Sequence, residues 1–273
     1  MTLWRHGYAS SGGERIYWEA GGDGLTIVLC HGAGSNHVSF YNQMAGMASD
    51  EVRIVTWDQR GYGNSTCTGG PVGPSVATGD LTAVLDAVGV DGPVHVVGQA
   101  MGAFVAAFWS IANRDRVASL AIWDGPFALD REGDRLTWAM KADAPSIRAV
   151  RDDPRVGVTG AVSPAFVDDN PVQTYLYQTL QELGGTRPSY GEIFALIDAD
   201  PVPIASLAEL GAPILIGRGE SDHVADPQAY AEIGARLPNA RMVALAGAGH
   251  SPYFEIPERW NAVMLDHARG AAA

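Results

Sequence analysis

Apolar positions along this chain fall into two rhythms. Segments at about 3–9 and 15–19 alternate apolar and polar residues, as edge strands do, and Gly21-Gly22-Asp23-Gly24 reads as a turn. Leu25 to Cys30 is almost continuously apolar, which predicts a strand buried on both faces. Val52 to Trp57, residues 93–97, Val117 to Trp123, Pro213 to Ile216 and Arg241 to Leu245 share that character. Between them lie helical periods, at about 38–48, 75–89, 103–113, 227–236 and 256–268; in the second, Leu81, Val84, Leu85 and Val88 share one face. Strands alternating with helices predict an α/β fold, a mostly parallel eight-stranded sheet covered on both faces. The alternation stops near Pro126 and resumes near 208. The stretch between is helical in pattern and dense in aromatics, which predicts an inserted helical cap, or lid, over 127–207, with the core formed by 1–126 and 208–273.

Composition narrows the partners. With 47% apolar residues the chain can bury a large core, and a net charge of −13 argues against nucleic acid and anionic membrane surfaces. No run approaches the roughly 18 apolar residues of a membrane span, and the first residues lack the basic-then-apolar pattern of a signal peptide. Two cysteines, Cys30 and Cys67, make no disulfide framework, so a cytoplasmic location is expected. Lysine occurs once, at Lys141, against many arginines, which fits a GC-rich bacterial source. The remaining partner is a small, largely apolar molecule; a homodimer is left open.

The chemistry centres on Gly98-Gln99-Ala100-Met101-Gly102. A strand precedes it and an apolar helix follows, the setting of the nucleophile elbow G-x-S-x-G. The reactive residue is an alanine, and a methyl group cannot attack a carbonyl. The other parts are in order. Asp222 follows the strand at 213–217, and His250 lies in a glycine-rich loop after the strand at 241–246. Nucleophile, acid and base in that sequence suit acyl transfer, where a carboxylate orients the imidazole that takes the nucleophile's proton. His31-Gly32-Ala33 follows the third strand. The backbone N–H groups of Ala33 and Met101 are the expected oxyanion donors. Asp124, at the end of the sixth strand, is an alternative acid or a group behind the first, and His223 is expected in a loop or surface role. His31, Gly32, Asn36, His37, Gln99 and Trp123 are candidate substrate contacts from the core. Trp138, Phe166, Tyr175 and Tyr177 are candidates from the cap, two of which are expected to line an apolar site. No residues show metal-ligand spacing and no dinucleotide fingerprint is complete, so neither metal nor cofactor is expected.

These residues together resemble the α/β-hydrolase family: the His31-Gly32 loop, Asp58-Gln59-Arg60-Gly61-Tyr62-Gly63-Asn64-Ser65, the elbow, Asp222 and His250. The resemblance implies a hydrolase with a Ser-His-Asp mechanism, esters and lactones as substrates, and scaffolding roles for Asp58 and Arg60. Ala100 is the departure. It reads as a serine changed to alanine, which leaves an inactivated variant. It also reads as an aspartate changed in an epoxide hydrolase or dehalogenase, although G-x-S-M-G is common among serine members. The third reading is a natural alanine in a pseudoenzyme, ligand receptor or non-hydrolytic catalyst. Hydrolysis of a carbon–carbon bond in a vinylogous diketone is the alternative chemistry, although Gln99 and Ala103 depart from the pattern of those members.

Overall fold

The computed structural model describes residues 4–125, 127–129, 135–138, 161–183, 188–225, 227–237 and 239–272. Eight strands form the main sheet in the order β1-β2-β4-β3-β5-β6-β10-β11. These are β1 Trp4–Ser11, β2 Glu14–Gly21, β3 Leu25–Cys30, β4 Val52–Trp57, β5 Val94–Gln99, β6 Val117–Trp123, β10 Ile214–Gly219 and β11 Ala240–Leu245. β1 and β2 are antiparallel to their neighbours, and the other six strands run parallel.

The continuous apolar runs are explained by burial on both faces. In β3, Val28 and Cys30 enter one core layer while Ile27 and Leu29 enter the other. The first layer receives α2 (Pro74–Val88), α3 (Gly102–Ala112) and α8 (Pro227–Arg236). The second receives α1 (Tyr41–Met47) and α9 (Pro257–Ala272), with Trp260 and Met264 fully buried. α2 carries Pro74 at its start, where a missing N–H costs no hydrogen bond, and ends at the left-handed Gly89.

Two expectations need correction. The helix expected at 38–48 is a 3₁₀ turn at His37–Phe40 followed by α1, because the Asn36 side chain accepts from the N–H of Val38 at 3.0 Å and starts the turn early. The inserted region is not purely helical. It holds an antiparallel three-stranded sheet of β7 (Phe127–Leu129), β8 (Arg135–Trp138) and β9 (Val202–Pro203). Its helices are α4 (Pro164–Asp169), α5 (Pro171–Glu182), α6 (Tyr190–Ala199) and the short α7 (Ile204–Ala208). Alternating apolar and polar residues over Arg135-Leu136-Thr137-Trp138 carried that strand signal, too short to stand out from the surrounding helical pattern.

The strand order reverses beside β3: β4 lies on one side of it and β5 on the other. The loops leaving β3 and β5 therefore diverge at the carboxyl edge and open a crevice there.

Candidate active site

The elbow sits at that crevice. Ala100 adopts a left-handed backbone, φ 48°, between β5 and α3. Its N–H donates to the carbonyl of Trp123 on the neighbouring strand at 2.9 Å. Both flanking glycines are required by contact: a Cβ on Gly98 would run into Ala103, and one on Gly102 into the backbone of Cys30 and His31. Met101 precedes the first residue of α3, so its N–H belongs to the unpaired donors of a helix start. The His31-Gly32-Ala33 loop lies against this turn, and a Cβ built on Gly32 would sit 3.1 Å from the methyl of Ala100.

The fold brings Asp222 and His250 together. Nδ1 of His250 lies 3.0 and 3.1 Å from the two oxygens of Asp222. Asp222 Oδ1 also accepts from the N–H groups of Val224 at 2.8 Å and Ala225 at 3.2 Å. Burial opposes the charge on Asp222, but His250 and these N–H groups outweigh it and hold the carboxyl below its usual range. A carboxylate only accepts, so the proton between the two groups is on Nδ1, which leaves Nε2 as the basic nitrogen.

Gln99 ties this pair to the elbow. Its Nε2 donates to the backbone carbonyl of His250 at 2.6 Å, across 151 residues of sequence. Glu255 was missed in the sequence, and it holds the same loop from the other side. Its carboxyl accepts from the N–H of Gly249 at 2.9 Å, of Ser251 at 3.2 Å and of Ser163 at 2.9 Å. The signal for it was Ser251-Pro252 with an acid shortly after, a helix-start pattern that returns a carboxylate to the preceding loop. Glu255→Ala leaves three buried donors unmatched and is expected to lower unfolding free energy by about 2–4 kcal/mol, read by chemical denaturation.

Several core candidates are committed elsewhere. His31 is fully buried; Nε2 accepts from the N–H of Gln59 at 3.0 Å, which leaves Nδ1 to donate to the Gly32 carbonyl at 2.9 Å. Asn36 donates to the carbonyls of Leu180 and Leu183 at 2.7 and 3.0 Å, bracing α5 against the core. His37 is corrected from a substrate contact to a structural ion pair. Its N–H and Nδ1 lie 2.7 and 2.8 Å from Asp58 Oδ1, and Nε2 lies 3.4 Å from Glu19. Burial alone would lower its pKa from 6.5, but hydrogen bonds and charge from Asp58 and Glu19 raise it to about 9. Trp123 is likewise corrected: it is fully buried in the core, with its ring N–H on the sulfur of Met264 at 2.9 Å.

Asp58, fully buried, also accepts from the N–H of Asn64 at 2.7 Å. Its expected scaffolding role therefore has three donors behind it, and Arg60 is paired in the same loop with Asp80 at 2.7 Å. Asp58→Ala is expected to cost about 3–5 kcal/mol, because it leaves the buried His37 imidazolium with Glu19 alone and removes the acceptor of two backbone N–H groups. The linked pH effect has a fixed sign. His37 binds its proton more tightly when folded, so its contribution is complete below 6.5 and is lost as pH rises through about 9. Denaturation of the alanine chain at pH 7 and above pH 9 reads that loss, and Asp58→Ala reduces it, leaving the part due to Glu19.

Of the cap candidates, Tyr177 stays at the site. It is buried, and its hydroxyl lies 2.8 Å from Ser251 Oγ, next to His250. Tyr175 is two residues away and so on the opposite face of α5, where it is 71% exposed; the expectation that it lines the cleft is corrected. Phe166 packs into the core against Phe254, with ring centroids 6.1 Å apart. The side chain of Trp138 lies outside the described residues. His223, expected in a loop or at the surface, lies in the loop after β10 and is buried. A small cleft of about 40 Å³ lies beside Met101, with Tyr62, Val72, Val105, Ile193 and Ile197 among its walls. No helix among the described residues is long and apolar enough to cross a membrane.

Comparison with known proteins agrees with this architecture. The chain is 26% identical to a 2-hydroxy-6-oxononadienedioate/2-hydroxy-6-oxononatrienedioate hydrolase of Burkholderia vietnamiensis, over 93% of this chain and 91% of that one. Among solved structures, a thermophilic esterase from Thermogutta terrifontis superposes with a TM-score of 0.79 at 22% identity, covering 98% of this chain and 100% of the other. The enol-lactonase of Burkholderia xenovorans gives 0.75 at 19% identity, covering 96% and 99%. At these identities the two structures share the fold. The profile of the alpha/beta hydrolase family matches residues 27–263, the span that holds the elbow, the Asp222–His250 pair and the β3 loop, and this chain belongs to that family.

Proposed function

We propose that this site is built for hydrolysis of a small ester or lactone by a hydroxyl at position 100, and that the alanine form keeps the pocket without the turnover. One observation carries the reading. The Asp222–His250 pair is fastened by Gln99 to an elbow whose central residue is held in the left-handed conformation that presents a nucleophile. With serine there, His250 Nε2 takes the hydroxyl proton as oxygen attacks the carbonyl, and Asp222 steadies the imidazolium. The N–H groups of Ala33 and Met101 receive the developing oxyanion. The imidazolium then passes its proton to the departing alcohol, leaving an acyl-enzyme, and water activated by the neutral imidazole releases the acid.

The walls of the cleft beside Met101 support an apolar substrate portion. Arg60, at its rim, is committed to Asp80 by two hydrogen bonds of 2.7 Å and so is not free to hold a substrate carboxylate. The names of relatives at 24–26% identity favour a second reading, a hydrolase of a vinylogous diketone. The test is Ala100→Ser assayed on p-nitrophenyl esters, lactones and a vinylogous diketone. Ester or lactone turnover supports the first reading, and diketone cleavage without it supports the second. A serine form that binds ligand and hydrolyses none of them favours a receptor.

A further inference from the structure

Asp124 takes no part in the steps above, yet the fold holds it as tightly as the elbow. It follows β6, the strand beside β5. Among the described residues two non-glycine positions have a left-handed backbone, Ala100 at φ 48° and Asp124 at φ 45°. Such a conformation persists for an L side chain only where its surroundings impose it, and functional sites are where it gathers. Here the surroundings are visible: the Asp124 N–H donates to the Gly217 carbonyl at 2.9 Å, and its Oδ1 accepts from the Gly219 N–H at 2.8 Å.

The other carboxyl oxygen, Oδ2, is buried and has no hydrogen-bond partner among the described residues. The Asp124 carboxyl sits in a crowded place. One oxygen of Asp124, one of Asp222 and one ring nitrogen of His250 all lie within 4.8 Å of one another. Two carboxyls thus lie beside a single imidazole, and Asp222 is the one bonded to it. Asp222 accepts from the His250 ring and two backbone N–H groups, so Asp222 is the anion. Among the described residues no ion pair to Asp124 is formed. Tyr230 donates its hydroxyl to the Gly217 carbonyl at 2.7 Å. Arg218 stands over the Tyr230 ring, 5.8 Å from its centroid. Glu255 is a further acid. A second buried anion here would meet repulsion with no compensating partner, and an unpaired buried oxygen is the place for a proton.

We propose that Asp124 is a positioning residue, a neutral carboxylic acid whose Oδ2–H donates to Asp222 and fixes that carboxylate against His250. The inference rests on His250–Asp222 being the base pair of the site. Asp124 and Asp222 then carry one negative charge between them. Removing the charge of Asp222 passes it to Asp124, which becomes the carboxylate facing the imidazole.

Carbon-13 NMR of the native alanine chain, labelled at aspartate carboxyls and assigned sequentially, tests this without any turnover. The result is therefore independent of whether Ala100→Ser hydrolyses an ester. Across about pH 5–8, where an ordinary aspartate is ionised, the Asp124 carbon is expected to keep the shift of an acid and the Asp222 carbon that of a carboxylate. In Asp222→Asn the Asp124 carbon is expected to move to the carboxylate position over the same range. An ionised Asp124 in the native chain overturns the proposal, and so does an Asp124 that stays protonated in Asp222→Asn. If Asp222→Asn does not fold, the native spectrum alone decides.

Discussion

Ala100→Ser is expected to raise hydrolysis of an activated ester or lactone by about 10⁶-fold over the alanine chain, the scale on which a serine nucleophile matters in such sites. A single oxygen can do this because the rest of the apparatus is already in position. The elbow keeps its left-handed turn at φ 48° with alanine, so serine inherits a backbone that needs no rearrangement. The base retains its orienting carboxylate at 3.0 Å, and the helix start at Met101 is intact. Losing one oxyanion donor changes rate by about 10²–10³, several orders less than the nucleophile itself. The gain is read as kcat with p-nitrophenyl esters of increasing acyl length. The shortest acyl chains are expected to show the lowest KM, because the cleft beside Met101 is small, about 40 Å³.

His250→Ala, made in the Ala100→Ser background, is expected to return the rate close to that of the alanine chain, a loss again of about 10⁶. Nucleophile and base act as one unit, so removing either forfeits nearly the whole effect. The same substitution in the alanine chain is expected to leave ester hydrolysis where it was. Kinetics on the four variants of that cycle check the coupling. The alternative, a base acting without any nucleophile, makes the opposite demand: an activity present in the alanine chain and lost in His250→Ala. A rearrangement or oxygenation found with that dependence would displace the hydrolase reading.

Much of the fold was legible because burial on both faces leaves a mark in sequence. The run Leu25 to Cys30 is apolar at alternate positions for two different layers, and only a sheet covered on both sides asks for that. The site was legible for a related reason. Strand ends deliver functional residues to loops, and Ala100, Asp222 and His250 each follow an apolar strand. Roles set by geometry left no such mark. The strand-end position of Asp124 marked it as an alternative acid or a group behind the first, but nothing in the residue announces its left-handed backbone. His37 had the same loop position as a substrate contact, and the partner that buries it, Asp58, lies 21 residues away. Trp123 could have faced the crevice or the core; its register opposite Gly217, where a Cβ would strike the indole ring, turned it inward. In the cap, a short helix with one buried face placed Tyr177 and Tyr175 on opposite sides, a distinction the aromatic density alone could not make.

The central claim is that position 100 is the nucleophile position served by His250. A fluorophosphonate, which forms a covalent bond with an activated serine, tests it most directly when followed by peptide mass spectrometry. The account predicts one equivalent of label on residue 100 of Ala100→Ser, none on the native chain, and none on Ala100→Ser combined with His250→Ala. Label on another residue, or a folded Ala100→Ser chain that takes up none, would contradict it.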